Sequence, residues 1–192
     1  ATIQAGAKLE QLNVAIWNEG YAFANLGSIA RQSLAGAIST ATHGSGINFQ
    51  ILGSMVESFK LVKADGEILE VSKNQESELF KTALISLGSL GIITEMTINL
   101  VPKFNLHERS GLMGFEEVCN NILDWVKQED HIKMWWFPHT DKMMVYRYNR
   151  TQEPINDSRF RQKFMDEWVS VHAYRLMLWW ANRKPIRRKW VN

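Results

Sequence analysis

Cysteine, histidine, net charge and long apolar runs are all scarce in this 192-residue chain, and each scarcity removes a class of protein. A single cysteine, Cys119, permits no internal disulfide and no Cys-rich zinc site. It falls in a helical-looking segment, where a small buried hydrophobe is preferred to a reactive thiol. The five histidines, His43, His107, His131, His139 and His172, have neither helical nor hairpin ligand spacing, so no metal site is expected. A net charge of only +2 carries no global signal for nucleic acid. No uncharged apolar run reaches the roughly 18 residues that a spanning helix needs. Against these absences, 45% hydrophobic residues suffice for a core, and 22% charged residues suit a globular domain.

What the chain does have is concentrated in residues 25–46, NLGSIARQSLAGAISTATHGSG. Gly27, Gly36, Gly44 and Gly46 stand among Ser28, Ser33, Ser39, Thr40, Thr42 and Ser45, with His43 between Thr42 and Gly44. Glycines let a backbone approach a ligand closely, and the small hydroxyls add donors and acceptors. Successive backbone N–H groups in such a loop can form a nest for anionic or carbonyl oxygen. A surface turn needs only about four such residues.

The periodicities around this loop predict alternating elements. Residues 2–5 alternate as a strand, and 8–19 carry Leu9, Leu12 and Ile16 at helical spacing, closed by Gly20. After the loop, 54–63 and 67–71 read as a hairpin about Asp65-Gly66. Residues 77–86 form a helix, Gly88 and Gly91 break it, and 92–101 form a strand ended by Pro102. A boundary is expected near 102–105. Beyond it, 107–110 is extended and 115–127 is an amphipathic helix with Val118, Ile122, Trp125 and Val126 inward. Strands 132–137 and 143–148 flank the turn 138–142. A polar loop, 149–158, then leads to an aromatic-rich helix over 160–181. Beginning without Met inside a strand, the chain is expected to be an internal piece of a longer protein.

The order strand, helix, THGSG loop, hairpin, helix, GSLGIIT, strand resembles the second half of the FAD-binding domain of the vanillyl-alcohol oxidase superfamily. SLAGAISTATHGSG, LVKADGEILEVS and the later WFPHTD are similar to its sugar-lactone oxidases, the L-gulonolactone and D-arabinono-1,4-lactone oxidase type. The resemblance implies an α+β chain. Residues 1–102 would be the second α/β subdomain of a PCMH-type FAD-binding domain, and 103–192 the start of an α+β cap domain. It implies FAD as cofactor, lined by Ser33, Ser39, Thr40, Thr42, His43, Gly44, Ser45 and Gly46, with Gly91, Ile92 and Ile93 reaching it through backbone groups.

Further implications concern the reaction. In such a family a sugar lactone gives up a hydride to the flavin, molecular oxygen takes the electrons, and hydrogen peroxide and ascorbate or an analogue result. Gly27 would leave an oxygen path that an alanine would narrow. Alternatives are a lactone dehydrogenase passing electrons to a cytochrome, and a non-catalytic flavin- or membrane-binding module. The family's substrate and base residues lie mostly in the distal part of the cap domain, absent here, so no catalytic residue is named and the piece alone is expected to be inactive. His43 is read as a structural loop residue, and His139 as part of a turn. Where many such relatives carry glycine, this chain has Ala41. Residues 168–192 hold Trp168, Trp179, Trp180 and Trp190, six basic residues and no acid, a composition suited to a membrane surface. The resemblance implies a microsomal membrane if the chain is of the animal L-gulonolactone oxidase type, and the cytoplasm otherwise.

Overall fold

In VESFKLV the side chains alternate, sending Phe59 and Leu61 to one side and Lys60 to the other. That two-sidedness organises the first half of the chain. The computed structural model describes residues 1–154 and 170–182, in two compact units, Ala1–Phe104 and Asn105–Asn192. The first unit runs β1 (Thr2–Gln4), α1 (Leu9–Asn18), β2 (Tyr21–Ala22), α2 (Leu34–Ser39), a 3-10 turn, β3 (Val56–Val62), β4 (Ile68–Ser72), α3 (Ser77–Leu84), β5 (Ile92–Ile98) and β6 (Val101–Pro102).

Four of these strands form an antiparallel sheet in the order β1-β5-β3-β4, and β2 pairs separately with β6. One core cluster joins Leu9 and Ile16 of α1, Leu34 and Ile38 of α2, and Phe80 and Leu84 of α3 to Val56, Phe59, Leu61, Val71 and Met96 of the sheet. Phe59 and Phe80 stack with centroids 5.5 Å apart. Each such burial contributes about 1.5–3 kcal/mol. The sheet's other face is polar: Thr2 and Thr97 hydroxyls meet at 3.0 Å, and Lys60 pairs with Glu95 at 2.9 Å. Local signals hold where expected. Gly20 closes α1 at φ 86°, and Gly66 turns the β3–β4 hairpin at φ 85°, with Glu67 N–H donating to Asp65 Oδ1.

The second unit contains β7 (Asn105–Gly114), α4 (Phe115–Gln128), β8 (His131–Trp136), β9 (Lys142–Thr151) and α5 (Ser170–Asn182). Its sheet is antiparallel in the order β7-β9-β8, with β7 and β9 in unbroken register from Asn105↔Thr151 to Gly114↔Lys142. That pairing extends β7 well beyond the expected 107–110 and carries β9 into the segment read as a loop. The turn 138–141 holds His139 at φ 71°, with Thr140 N–H donating to Phe137 O. Of the aromatic helix expected over 160–181, the part before Ser170 lies outside the described residues.

Val118 of α4 is buried with Val145 of β9, and Arg147 lies over the Trp125 ring at 5.1 Å, so α4 covers the sheet face that carries Arg147. Cys119 corrects the sequence reading, for it is exposed. The inward position is Val118, and one residue further turns the side chain about 100° around the helix.

On the α4 face Glu129 is buried to 5% side-chain exposure and receives Arg109 at 2.8 and 2.9 Å, with Arg147 at 3.8 Å and an Asn149 amide hydrogen bond. Removing one partner of such a carboxylate leaves a desolvated charge. Arg109→Met should therefore cost about 2–3 kcal/mol of unit stability, read from urea unfolding of the full-length protein. A midpoint unchanged from the parent would show that Arg147 and Asn149 suffice.

Candidate cofactor-binding site

Residues 30–35 lie alongside the β1–α1 connection, which sets where α2 begins. Leu9 N–H donates to Gln32 O, Glu10 N–H to Ala30 O, Leu34 N–H to Ala7 O and Ala35 N–H to Ala5 O. Ala5 N–H in turn donates to Thr94 O, so Ala5 ties the first turn of α2 and the start of β5 to one end of β1. Ser33 is the N-cap of α2, its hydroxyl accepting from Gly36 N–H at 3.2 Å. The sequence reading treated 25–46 as loop throughout and missed this helix. A serine followed by Leu34, Ala37 and Ile38 is the start signal that marks it.

The helix ends in a paired carbonyl cap. Ala41 N–H donates to Ile38 O at 3.0 Å and Thr42 N–H to Ala37 O at 2.9 Å. In that arrangement the residue after the cap is left-handed, and Ala41 has φ 54°. An L side chain there costs on the order of 1 kcal/mol, which is why glycine suits the position. Thr40 Oγ1 donates back to Gly36 O at 3.0 Å and lies 3.3 Å from Thr42 Oγ1.

Beyond the cap, residues 42–46 cross residues 25–27. Asn25 is buried at 9% exposure, and its Nδ2 donates to Ser45 O in a long hydrogen bond of 3.4 Å. A Cβ at Gly44 would stand 2.1 Å from Asn25 Oδ1 and 2.5 Å from Leu26 O. A Cβ at Gly27 would meet His43 O and Thr42 Cγ2, each at 3.3 Å. Glycine at 44 thus permits backbone to pack on backbone inside the protein, and the space a side chain would fill is already taken by Asn25. Asn25 is the residue that sequence reasoning missed; its signal was one amide in the otherwise apolar run YAFANL.

What this crossing presents outward is polar. His43 is exposed, its Nδ1 2.8 Å from Gly44 O. The backbone N–H groups of His43, Gly44 and Gly46 donate to no described residue. Gly91, at φ 142°, is pressed against Val62, whose carbonyl oxygen would lie 2.4 Å from a Cβ. Ile92 is exposed at 71%, and Ile93 packs on the core. Ala5 brings Thr94, which follows Ile93, and the Ser33 end of α2 to one end of β1; Ile92 and Ile93 pair with Val62 and Leu61 of β3, while Thr40 serves its own helix.

These groups fit a flat cofactor with polar edges: donors with no partner in the loop, half-buried hydroxyls beside them, and no charged side chain within 39–46. Residues 1–72 match the sequence model of the FAD binding domain, and unit 1 accordingly carries part of an FAD-binding fold. Residues 96–192, half of the chain, match the model of D-arabinono-1,4-lactone oxidase, and the chain belongs to that family. It is 34% identical over 184 residues to a D-arabinono-1,4-lactone oxidase of Candida albicans, covering 90% of this chain and 33% of the relative. To an L-gulonolactone oxidase of Mus musculus it is 31% identical over 192 residues, covering all of this chain and 43% of the relative. The chain therefore spans about a third to two fifths of the relatives it matches. A crystal structure of cholesterol oxidase from B. sterolicum aligns with TM-score 0.72 and 19% identity over 82% of this chain and 33% of that one, which agrees with an α+β PCMH-type fold.

Two substitutions probe the crossing in the full-length protein. Ala41→Gly should raise stability by up to about 1 kcal/mol, since it relieves the left-handed residue without touching a side-chain contact. Gly44→Ala should lower stability and FAD retention together, because the methyl displaces Asn25. Thermal melts and FAD absorbance per protein read both; a Gly44→Ala protein with the parent's melting point and flavin content would refute the crossing.

Proposed function

We propose that the full-length protein to which this chain belongs is an FAD-dependent oxidase of an aldono-1,4-lactone of the L-gulono type, yielding ascorbate or an analogue. The observation that carries the reading is the order of the two family matches along one chain, FAD binding over 1–72 and lactone oxidase over 96–192. The N–H groups of His43, Gly44 and Gly46, which donate to no described residue, support the cofactor side of it.

In this reading Ser33, Ser39, Thr42, His43, Gly44, Ser45 and Gly46 line the flavin, with Gly91, Ile92 and Ile93 beside it. Thr40 acts one step back, holding the end of α2. When bound, FAD supplies the two-electron acceptor: the carbinol of the lactone loses a hydride and a proton to become a carbonyl, and oxygen gains two electrons and two protons as hydrogen peroxide. The residues of this chain hold and orient the ring system through backbone donors, which cost no reorganisation as charge develops. Residues 103–192 would be the beginning of a cap domain.

Gly27 is proposed to keep an oxygen path open. A methyl there would press on His43 O and Thr42 Cγ2, a displacement of a few tenths of an ångström. Gly27→Ala in the full-length enzyme should slow flavin reoxidation by oxygen at least tenfold more than reduction by lactone, in stopped-flow measurement of the two half-reactions. Equal slowing would mean the methyl only shifts the 42–46 loop. Oxygen uptake with hydrogen peroxide formation on L-gulono-1,4-lactone tests the main reading; lactone oxidation with a cytochrome as sole acceptor would establish the dehydrogenase instead.

A second reading rests on α5, where Val171, Tyr174, Leu176, Leu178, Trp179 and Trp180 are all at least 41% exposed. Such a helix suits attachment to a membrane surface. Among the described residues no helix is long and apolar enough to cross a membrane. Trp168 and the basic residues from Arg183 to Lys189 lie outside the described residues. Salt-sensitive co-sedimentation of the full-length protein with anionic vesicles is the expected result, and its absence at low salt would remove this reading.

A further inference from the structure

The second unit's sheet has two unlike faces. Register places Leu106, Glu108, Ser110 and Leu112 of β7, Met144, Tyr146, Tyr148 and Arg150 of β9, and His131, Lys133 and Trp135 of β8 on the face opposite α4, with His131 and Arg150 at the end away from Trp135. Lys133 Nζ sits 4.8 Å from the Trp135 ring centroid and 5.2 Å from that of Tyr146. Trp135 meets Tyr146 edge-on at 6.0 Å, and Tyr146 stacks on Tyr148 at 6.5 Å with planes 6° apart. Trp135 is 50% exposed and Leu112 64%. Burial first, then the Glu108 charge, pushes the Tyr148 phenol up to about 12, so it stays a neutral donor beside Glu108 across ordinary pH.

The Lys133 ammonium, on edge strand β8 and held over the Trp135 and Tyr146 rings, argues against an apolar partner, because burying an ammonium under hydrocarbon is costly. The Trp135, Tyr146 and Tyr148 rings with the Lys133 ammonium and the Glu108 carboxylate instead match a neutral polyol ring. Its C–H face stacks on aromatic surface, its carbonyl and hydroxyl oxygens accept from the ammonium, and its hydroxyl protons go to the carboxylate. The face belongs to the part of the chain, 96–192, that matches lactone oxidases, while the FAD match ends at residue 72.

The geometry points to a lactone-binding surface on this face, with Trp135 and Tyr146 as the stacking platform and Lys133 as the donor to the lactone oxygens. This inference rests on the lactone-oxidase reading for its ligand and goes beyond it by placing substrate contacts within these residues.

The test uses the full-length flavoprotein and L-gulono-1,4-lactone. Reduction under nitrogen at a series of lactone concentrations separates the dissociation constant from the limiting rate. Lys133→Met, which keeps the stem, should raise that constant about tenfold, as expected for one lost charge-assisted hydrogen bond, with FAD content unchanged. Lys133→Arg should restore most of the loss, and Trp135→Leu should raise the constant several-fold. Saturation-transfer NMR of the lactone reads binding without turnover. Binding that vanishes in Lys133→Met while the parent oxidises no lactone would uphold this surface and sink the oxidase reading. Oxidation by a parent whose Lys133→Met and Trp135→Leu variants keep its dissociation constant within twofold would sink this surface alone. A parent that neither binds nor oxidises the lactone would overturn both.

Discussion

A methyl group at position 44 would overlap the Asn25 amide and the Leu26 carbonyl, and this steric exclusion fixes how residues 42–46 lie. Everything the loop presents depends on that crossing. Asn25 holds Ser45 O from beneath, the carbonyl cap of α2 delivers the chain at Ala41, and the hydrogen bonds through Ala5 fix where α2 starts. The N–H groups of His43, Gly44 and Gly46 donate to no described residue, and Asn25 and Leu26 fill the space beside Gly44. Pre-organised backbone donors of this kind bind without paying to order a flexible segment.

The second unit reaches rigidity differently. Its hydrophobic centre among the described residues is small, with Val118 and Val145 the buried apolar side chains. Long antiparallel register and the Glu129 cluster hold it together. Arg109, Arg147 and Asn149 come from two neighbouring strands, and Glu129 lies between α4 and β8, so one carboxylate pins three elements. With the Glu129 cluster on the α4 face, Trp135, Tyr146, Tyr148 and Lys133 fall on the other by the alternation of the strands.

Elements with a strong period or a turn dipeptide were legible in the sequence. The hairpin at Asp65-Gly66, the closure of α1 at Gly20 and the amphipathic α4 all follow from local chemistry. The helix α2 was hidden because it is only six residues long and four of them have small side chains, so it reads as a loop until tertiary contacts bury Leu34, Ala37 and Ile38. Register was equally hidden: nothing local in NLHERSGLMG announces a ten-residue strand until β9 is laid beside it. In the site, the glycines and hydroxyls were visible, but the reason for Gly44 was not. Its partner, Asn25, is 19 residues earlier, and a single sequence does not reveal which distant side chain fills the space a Cβ would take.

The central claim is that the 42–46 loop meets the flavin through its backbone. Amide hydrogen exchange of the full-length protein, with FAD removed and then restored, tests it most directly. The account predicts that exchange at His43, Gly44 and Gly46 slows at least a hundredfold on FAD addition, beyond any change on the polar face of the first sheet. Unchanged exchange at these three amides in a protein that has regained stoichiometric FAD would contradict it.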